Sequence, residues 1–297
     1  MRALYGTPPL GLIVLPSEAV QVSPLVPGSA ALEAVSPASL DQALVCAPAG
    51  TLERDHVLAL TLRALKPGAA MIALALKDRG GTRLRKTLEG FGCAVIEEAR
   101  RHHRICQVTR PGHLSTIELA IARGAPRRVG ALWTQPGVFS WDRLDPGSAL
   151  LIATLPPLKG RGADLGCGLG VLALKVLESP AVTALTLIDR DRRAVEAARQ
   201  NVTDPRAVIE WSDVRSAGHT GLDFVVMNPP FHDGGTEDRA LGAAFIAAAS
   251  AALRPGGVCW LTANRHLPYE APLAAHFASV TLKAEAGGFK IYQAIRP

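Results

Sequence analysis

The sequence lacks the features that build disulfide-rich, zinc-binding or secreted domains. Its five cysteines are scattered among 297 residues, and it has neither a CxxC pair nor a Cys/His cluster. Because structural zinc sites need closely spaced ligand pairs, we expect no metal. An odd number of dispersed cysteines is typical of a protein kept reduced in the cytoplasm.

Long apolar runs and a large excess of one charge are also missing. No stretch reaches the ~18 uninterrupted apolar residues of a membrane helix, so we expect no membrane partner. Residues 1–16 lack the apolar run and cleavage site of a signal peptide. Lys and Arg outnumber Asp and Glu by 32 to 26, which permits a polyanionic partner without requiring one. With 48% hydrophobic residues, the chain can fill the cores of about two domains.

What the sequence does contain is an internal similarity between its two halves. Residues 91–111 resemble residues 277–297 when Arg104 is matched with Lys290. Two further matches, of 62–70 with 250–258 and of Leu40-Asp41 with Leu222-Asp223, follow in the same order at offsets of 182 to 188 residues. Strand–turn–helix units of any α/β protein share part of this pattern, but the common order favours duplication.

The similarity predicts two domains, residues 1–125 and 126–297. We place the join near residues 121–135, because residues 122–128 within it are polar, contain Gly and Pro and lack helical periodicity. The second half alternates short apolar runs with helical patterns, which predicts a doubly wound parallel sheet. The predicted strands cover 161–164, 184–188, 207–211, 224–227, 258–262 and 290–295, and the predicted helices cover 171–178, 192–201 and 239–253.

The most specific motif is the glycine-rich turn between the first strand and helix of the second half. It contains Gly166, Gly168 and Gly170, and Asp164 stands two residues before the first glycine. Glycines let a ligand approach the main chain, and the following helix offers free N–H groups. A carboxylate here would repel a pyrophosphate but attract a cationic group. S-adenosylmethionine, which carries an ammonium and a sulfonium, fits this turn.

Two further acidic residues follow the next strands. Asp189 ends the second strand, where an acid accepts hydrogen bonds from ribose hydroxyls. Asp213 follows the third strand, where a side chain could reach the adenine amine, although an acid at this place is also a common helix cap. These positions predict the remainder of a nucleoside site.

A second motif, Asn228-Pro229-Pro230-Phe231, follows a buried strand. Open α/β sheets bind ligands at the carboxyl ends of their strands. The prolines remove two N–H donors and leave carbonyl oxygens. The Asn228 side-chain oxygen and the Pro229 carbonyl can accept hydrogen bonds from a planar amine, and Phe231 can stack on its base. The loop would therefore aim an amine at an electrophilic methyl group, with proximity supplying much of the rate.

These motifs resemble the class I S-adenosylmethionine-dependent amino-group methyltransferases. Residues 136–156, 228–235 and 287–297 are similar to the RsmC/RlmG family of bacterial ribosomal RNA guanine-N2 methyltransferases. The resemblance implies two tandem Rossmann-like domains, a degenerate one first and a catalytic seven-stranded one second. It is strong over about residues 130–297 and looser over the first half, which is shorter than is usual in the family.

The resemblance also implies roles for individual residues. Those implied to contact the cofactor are Asp164, Gly166, Gly168, Gly170, Asp189, Asp213 and Phe139; the family often has Asn at the place of Asp213. Those implied to hold the target guanine are Asn228, Pro229, Pro230 and Phe231. Asp145 and Ser148 belong to the family's lead-in segment, which with Phe139 would close over the cofactor.

The first half lacks both motifs, and the internal alignment places Cys46 where Asn228 stands. We therefore expect no catalysis there. Residues 77–110 contain nine Lys or Arg and four Asp or Glu. Such a basic run is able to contact RNA phosphates, and equally typical of a solvated helix face.

The sequence predicts a cytoplasmic enzyme that methylates the N2 amine of a guanine in ribosomal RNA, as naked RNA or within a subunit, with the small subunit favoured. Methylation of DNA adenine or of protein glutamine, and a non-catalytic role in RNA binding or ribosome assembly, stay open as alternatives. The oligomeric state is not determined by the sequence, and a monomer is favoured.

Overall fold

The computed structural model describes residues 1–230, 232–233, 236–237 and 239–297. These residues divide into two compact units, Met1–Pro126 and Arg127–Pro297, called unit 1 and unit 2 below. No helix in the described part of the chain is both long and apolar enough to cross a bilayer.

Unit 1 is built on a six-stranded sheet. Its elements are β1 (Arg2–Tyr5), β2 (Val20–Gln21), β3 (Leu40–Cys46), α1 (Thr51–Ala64), β4 (Leu65–Leu76), α2 (Thr82–Gly90), β5 (Ile96–Arg100), β6 (His103–Thr109) and α3 (Ser115–Gly124). The strand order is β2-β1-β3-β4-β6-β5, with β1 to β4 parallel and β6 antiparallel to both of its neighbours.

The three helices of unit 1 bury one face of this sheet in the main core of the unit. The opposite face carries a smaller cluster of Leu44, Leu74 and Ile105, which is covered by Leu12 from the loop after β1. Arg100 fastens this loop, because its Nη1 donates to the Leu12 carbonyl at 2.9 Å. Unit 1 therefore lacks helices on the face that a doubly wound fold covers with them.

Unit 2 is built on a seven-stranded sheet. Its first elements are β7 (Arg127–Val129), β8 (Leu132–Thr134), α4 (Pro146–Thr154), β9 (Gly160–Leu165), α5 (Val171–Leu177), β10 (Val182–Asp189), α6 (Arg192–Asn201) and β11 (Ala207–Trp211). They are followed by β12 (Leu222–Met227), β13 (His232–Asp233), β14 (Thr236–Glu237), α7 (Arg239–Ala252), β15 (Leu253–Asn264), α8 (Glu270–His276), β16 (Ser279–Ala286) and β17 (Phe289–Ile295).

The order in this sheet is β11-β10-β9-β12-β15-β17-β16, and helices pack on both of its faces. The β7–β8 and β13–β14 pairs form separate antiparallel hairpins. Two mixed α/β units, the second with seven strands, confirm the predicted fold class.

Two details of the predicted fold are wrong. The sheet of unit 2 is not wholly parallel, because β17 runs antiparallel to both β15 and β16. Gly287 and Gly288 both adopt positive φ, the geometry of a tight hairpin turn, and so reverse the chain. The apparent lack of helix in the join near 121–135 is the second. Helix α3 continues to Gly124 and the β7–β8 hairpin begins at Arg127, since the Gly130 turn pairs two short strands.

Strand pairing supports the predicted duplication. The order in unit 1 is that of unit 2 without an equivalent of β11. Both sheets shift register at the same place, after Leu40↔Leu65 in unit 1 and after Leu222↔Leu253 in unit 2. The same ion pair also recurs, Lys66 with Asp41 at 2.6 Å and Arg254 with Asp223 at 2.7 Å.

Candidate active site

A cleft of about 650 Å³, measured with its open mouth, lies at the carboxyl ends of β9 and β12 in unit 2. Its lining combines the glycine turn, the start of α4, the segment after β8, and Asn228. Among the described residues, no group of three His, Cys, Asp or Glu side chains is placed to hold a metal ion.

The glycine turn has the left-handed backbone angles that its sequence predicts. Gly166, Gly168 and Gly170 have φ of +75°, +52° and +83°. A side chain at Gly170, the N-cap of α5, would lie 2.7 Å from Val202 Cγ2. At Gly168, by contrast, a Cβ would meet nothing within 4 Å. Because Gly168 also lines the cleft, its missing side chain leaves room for a ligand against the main chain.

The open space at Gly168 predicts that a side chain there will weaken ligand binding, and a control variant separates this loss from the effect of backbone strain. Gly168→Ala is expected to lower affinity for S-adenosylmethionine at least tenfold, because its methyl group occupies ligand space. Gly287→Ala is the matched control, since Gly287 has φ of +59°, is equally open, and lies in the β16–β17 turn. Both variants carry the same backbone strain of about 1 kcal/mol. Calorimetric titration and thermal unfolding would measure the two effects, and equal affinities would contradict the cleft assignment.

Asp164 is fully buried at the end of β9 beside this turn. Neither of its carboxylate oxygens has a hydrogen-bond partner among the described residues. Burial raises the pKa of Asp164 to about 8, and the nearby charge of Asp189 raises it further in the same direction. A buried carboxylate is costly unless something pairs with it. Asp164 does not itself line the cleft, but a ligand that brought a positive or donor-rich group to the neighbouring glycine turn would offset this cost.

Asp189 fixes the glycine turn from the end of β10. Its Oδ2 accepts from the Gly168 N–H at 2.9 Å and its Oδ1 from the Asp191 N–H at 2.8 Å. Burial raises the pKa of Asp189 to about 6. Each carboxylate oxygen keeps a lone pair beyond these bonds, so the predicted contact with ribose is compatible with this geometry and stays a prediction.

Asp213 has the role of a cap in this structure. Its Oδ1 accepts from the Arg215 N–H at 2.9 Å, and its Oδ2 pairs with Arg215 Nη2 at 2.5 Å. The hydrogen bond from the Arg215 side chain lowers the pKa of Asp213. Both oxygens of the Asp213 carboxylate therefore have a partner in the absence of a ligand. Contact with adenine stays a prediction.

Asn228 lies directly after β12, as the motif predicts, and its amide is held in one orientation. Its Nδ2 donates to Asp145 Oδ2 and to Ser148 Oγ, both at 2.9 Å. Its Oδ1 is buried and accepts from no described residue. The amide therefore has a buried acceptor without a partner among the described residues, and an acceptor is the group that a target amine requires.

Three of the remaining predicted residues are described. Pro229 is buried and Pro230 is half-buried, and both follow Asn228 directly in the chain. Phe139 lines the cleft with 60% of its surface exposed, consistent with a side chain that covers a ligand. Phe231 lies outside the described residues.

Sequence analysis missed the contacts of Asp145 and Ser148 with Asn228. They were assigned only to a segment that closes over the cofactor, and they do line the cleft. The available signal is local: an Asp followed by Pro is a strong helix N-cap with Pro at the first helical position. That signal predicts the start of α4, but not which distant side chain it faces.

Strand pairing identifies the positions of unit 1 that are equivalent to the site. Tyr5 pairs with Val45 in unit 1 as Leu165 pairs with Met227 in unit 2. Counted from these pairs, unit 1 replaces three site residues: Leu4 stands for Asp164, Pro8 for Gly168 and Cys46 for Asn228. Burial raises the pKa of the Cys46 thiol to about 11, so it stays protonated and unreactive at neutral pH. Unit 1 lacks the chemistry of unit 2.

Comparison with known proteins places this architecture in a family. The family model for the methyltransferase small domain matches residues 130–293. Ribosomal RNA small subunit methyltransferase C of Pseudomonas paraeruginosa is 33% identical over 291 residues, which cover 94% of this chain and 87% of that protein. The chain belongs to the ribosomal RNA small subunit methyltransferase C family.

Other members of the family align with a smaller share of this chain. The Shewanella halifaxensis methyltransferase C is 29% identical over 87% of this chain and 78% of its own length. The solved structure of Thermus thermophilus 16S rRNA N2 methyltransferase RsmC, in complex with AdoMet and guanosine, aligns with a TM-score of 0.74. It covers 90% of this chain and 76% of that chain at 24% identity, and so shows that the two proteins share a fold.

Proposed function

We propose that this chain transfers a methyl group from S-adenosylmethionine to the exocyclic N2 amine of a guanine in ribosomal RNA, with the small subunit favoured. The observation that carries the proposal is the amide of Asn228, whose donors are engaged while its oxygen is free. The names of its relatives supply the substrate class: small-subunit ribosomal RNA for the curated proteins, and an N2 position for the T. thermophilus enzyme.

The residues of the cleft fit S-adenosylmethionine. The unpaired carboxylate of Asp164 would meet the positive methionine end, directly or through water, and the open backbone at Gly168 leaves space beside it. Asp189, which holds the turn, would accept from ribose, and Phe139 would cover the ligand. When bound, the cofactor supplies an electrophilic methyl group on a sulfonium.

The loop after β12 would orient the target. Asn228 Oδ1 and the Pro229 carbonyl would both accept from the guanine amine, which fixes its plane and directs its nitrogen at the methyl group. The nitrogen gains the methyl group as the carbon–sulfur bond breaks and S-adenosylhomocysteine leaves. The nitrogen is then cationic and acidic enough to lose its proton to water, so no strong base is needed. Proximity and orientation therefore supply the main rate enhancement. The guanine must leave its stack to reach Asn228.

Unit 1 would contribute RNA contacts through its basic run. Within this run Arg85, Arg100 and Arg104 face acidic partners. Lys77, Arg83 and Lys86 are exposed and form no ion pair with another described residue. Cationic side chains that lie close together in the sequence and have no acidic partner are able to bind RNA phosphates. We infer that these three residues contact ribosomal RNA.

Replacing Lys77, Arg83 and Lys86 together by Ala is expected to weaken RNA binding about tenfold or more at low salt. The slope of log affinity against log salt should fall by about 2, since each phosphate contact on single-stranded RNA contributes about 0.7. Filter binding across a salt series would measure it. Arg85→Ala is the control, because Arg85 is engaged by Glu89 at 2.8 Å. If the triple variant kept the wild-type slope of log affinity against log salt, the basic run would be a solvated surface that does not contact RNA.

The proposed site of action is the cytoplasm, where ribosomal subunits are made, and the proposed form is a monomer. The five cysteines are free thiols in this structure, as suits a reducing compartment.

Labelled methyl transfer to small subunits, large subunits and naked ribosomal RNA would test the substrate. Label in ribosomal RNA supports the proposal. Label only in DNA or in a protein glutamine would replace it, and cofactor binding without transfer to any of these would favour a non-catalytic role.

A further inference from the structure

The first turn of α4 contacts the catalytic loop through two acceptors. Asp145 Oδ2 and Ser148 Oγ each lie 2.9 Å from Asn228 Nδ2, although they are 83 and 80 residues away in the sequence. Together they engage both hydrogens of the amide. No other described residue accepts from this nitrogen.

This turn is itself rigid. Asp145 is the N-cap of α4, and its Oδ2 also accepts from the Ser148 N–H at 2.7 Å. Pro146 occupies the first helical position, where its fixed φ suits the helix. Phe289 packs so closely on Gly147 that a Cβ there would lie 2.6 Å from Phe289 Cδ1. The two acceptors therefore have fixed positions.

The chemistry of these acceptors determines which way the Asn228 amide points. A carboxylate accepts hydrogen bonds and cannot donate them, so the NH2 end of the amide must face Asp145. A flipped amide would place its oxygen against the carboxylate and leave a donor facing the target. In the observed orientation Oδ1 is the free end, and Pro229 adds a carbonyl but no N–H.

We propose that Asp145 and Ser148 are positioning residues that hold Asn228 as a pure acceptor and so make the site selective for an amine. The inference rests on the proposed function and deepens it. A base that presented a carbonyl at the same place would face only acceptors and be rejected. Neither residue needs to touch the reacting atoms for this role.

The test uses two variants that keep the helix start intact. Ser148→Ala removes one acceptor and leaves the backbone N–H that Asp145 caps. Asp145→Ser keeps an N-cap of comparable strength but is too short to reach Asn228. Thr154→Ala is the control: it removes a hydroxyl from the same helix, where Oγ1 donates to the Leu150 carbonyl at 2.7 Å, away from the cleft.

Each of the two variants is expected to lower kcat about tenfold, the loss of one net hydrogen bond, with affinity for S-adenosylmethionine within twofold of wild type. The double variant should approach the activity of Asn228→Ala. Thr154→Ala should match wild type. Wild-type kcat in both single variants, or an equal loss in Thr154→Ala, would overturn the proposal.

A second readout does not depend on activity. In a ¹⁵N-labelled sample, the side-chain amide protons of Asn228, identified by their absence in Asn228→Ala, should exchange slowly because both are hydrogen-bonded. Exchange should accelerate in Ser148→Ala and stay slow in Thr154→Ala. Fast exchange in the wild type would refute the positioning role. Slow exchange in a protein that methylates no ribosomal RNA would instead refute the proposed function and leave the positioning intact.

Discussion

Replacing Asn228 with alanine is expected to lower methyl transfer about a thousandfold and to leave the affinity for S-adenosylmethionine nearly unchanged. The Asn228 side chain supplies an acceptor, Oδ1, for the target amine. Its orientation is fixed because the Nδ2 of the same amide donates two hydrogen bonds to described residues. Losing it leaves the amine unaligned, and misplacing a reacting group by about 1 Å can cost a hundredfold or more. Single-turnover transfer and calorimetric titration of the cofactor would measure the two quantities.

The control is Cys46→Ala, the same kind of truncation at the equivalent position in unit 1. That variant should transfer methyl groups at the wild-type rate, because the half-buried Cys46 thiol lies in unit 1 and takes no part in the reaction. Near-normal transfer by Asn228→Ala would show that another group aligns the amine. A large loss of cofactor affinity would show that Asn228 belongs to the cofactor site.

Asp164→Asn is expected to have two opposite effects. The folded protein holds the Asp164 pKa at about 8, against an ordinary value of 3.8, chiefly through burial. A raised carboxyl pKa means that the unliganded protein is most stable when Asp164 is protonated and loses stability as pH rises from about 4 to about 8. The asparagine variant should therefore unfold at a higher temperature than wild type at pH 8, and the difference should shrink toward pH 5.

The second effect of Asp164→Asn concerns the cofactor. A cationic group favours the ionised carboxylate, so wild-type affinity should rise with pH up to about 8, where Asp164 loses its proton. In the variant, affinity should fall at least tenfold at pH 8 and lose this pH dependence. Asp204→Asn is the control, because Asp204 pairs with Arg206 at 2.7 Å and does not line the cleft. Wild-type affinity in Asp164→Asn at pH 8 would remove Asp164 from the site.

The parts of the site that could be predicted from sequence are those encoded in short segments. The glycine turn has local backbone requirements, and Asn228 follows a strand whose apolar run identifies it. The match of Cys46 with Asn228 is reproduced by strand register. In each case the chemistry depends on a few neighbouring residues or on a pattern repeated within the chain.

The parts that could not be predicted depend on contacts between distant segments. Nothing local in Asp145 or Ser148 indicates that they face Asn228, because their bonds are made only once α4 packs against β15 and β17. The edge strand β16 was missed for a different reason. Most of its residues are half-exposed or exposed, so it has no apolar run to mark it. The carboxylate of Asp213 shows a different limit of sequence reasoning, since its contact with Arg215 was not foreseen and its contact with adenine stays a prediction.

The central claim is most directly tested by identifying the methylated nucleoside. Small ribosomal subunits from cells that lack the modification would be incubated with the protein and S-adenosylmethionine carrying a deuterated methyl group, and the ribosomal RNA would be digested for mass spectrometry. The account predicts deuterated N2-methylguanosine with wild-type protein and none with Asn228→Ala. Deuterium in a methylated adenosine, or no deuterated nucleoside from small subunits, large subunits or naked RNA while the cofactor binds, would contradict it.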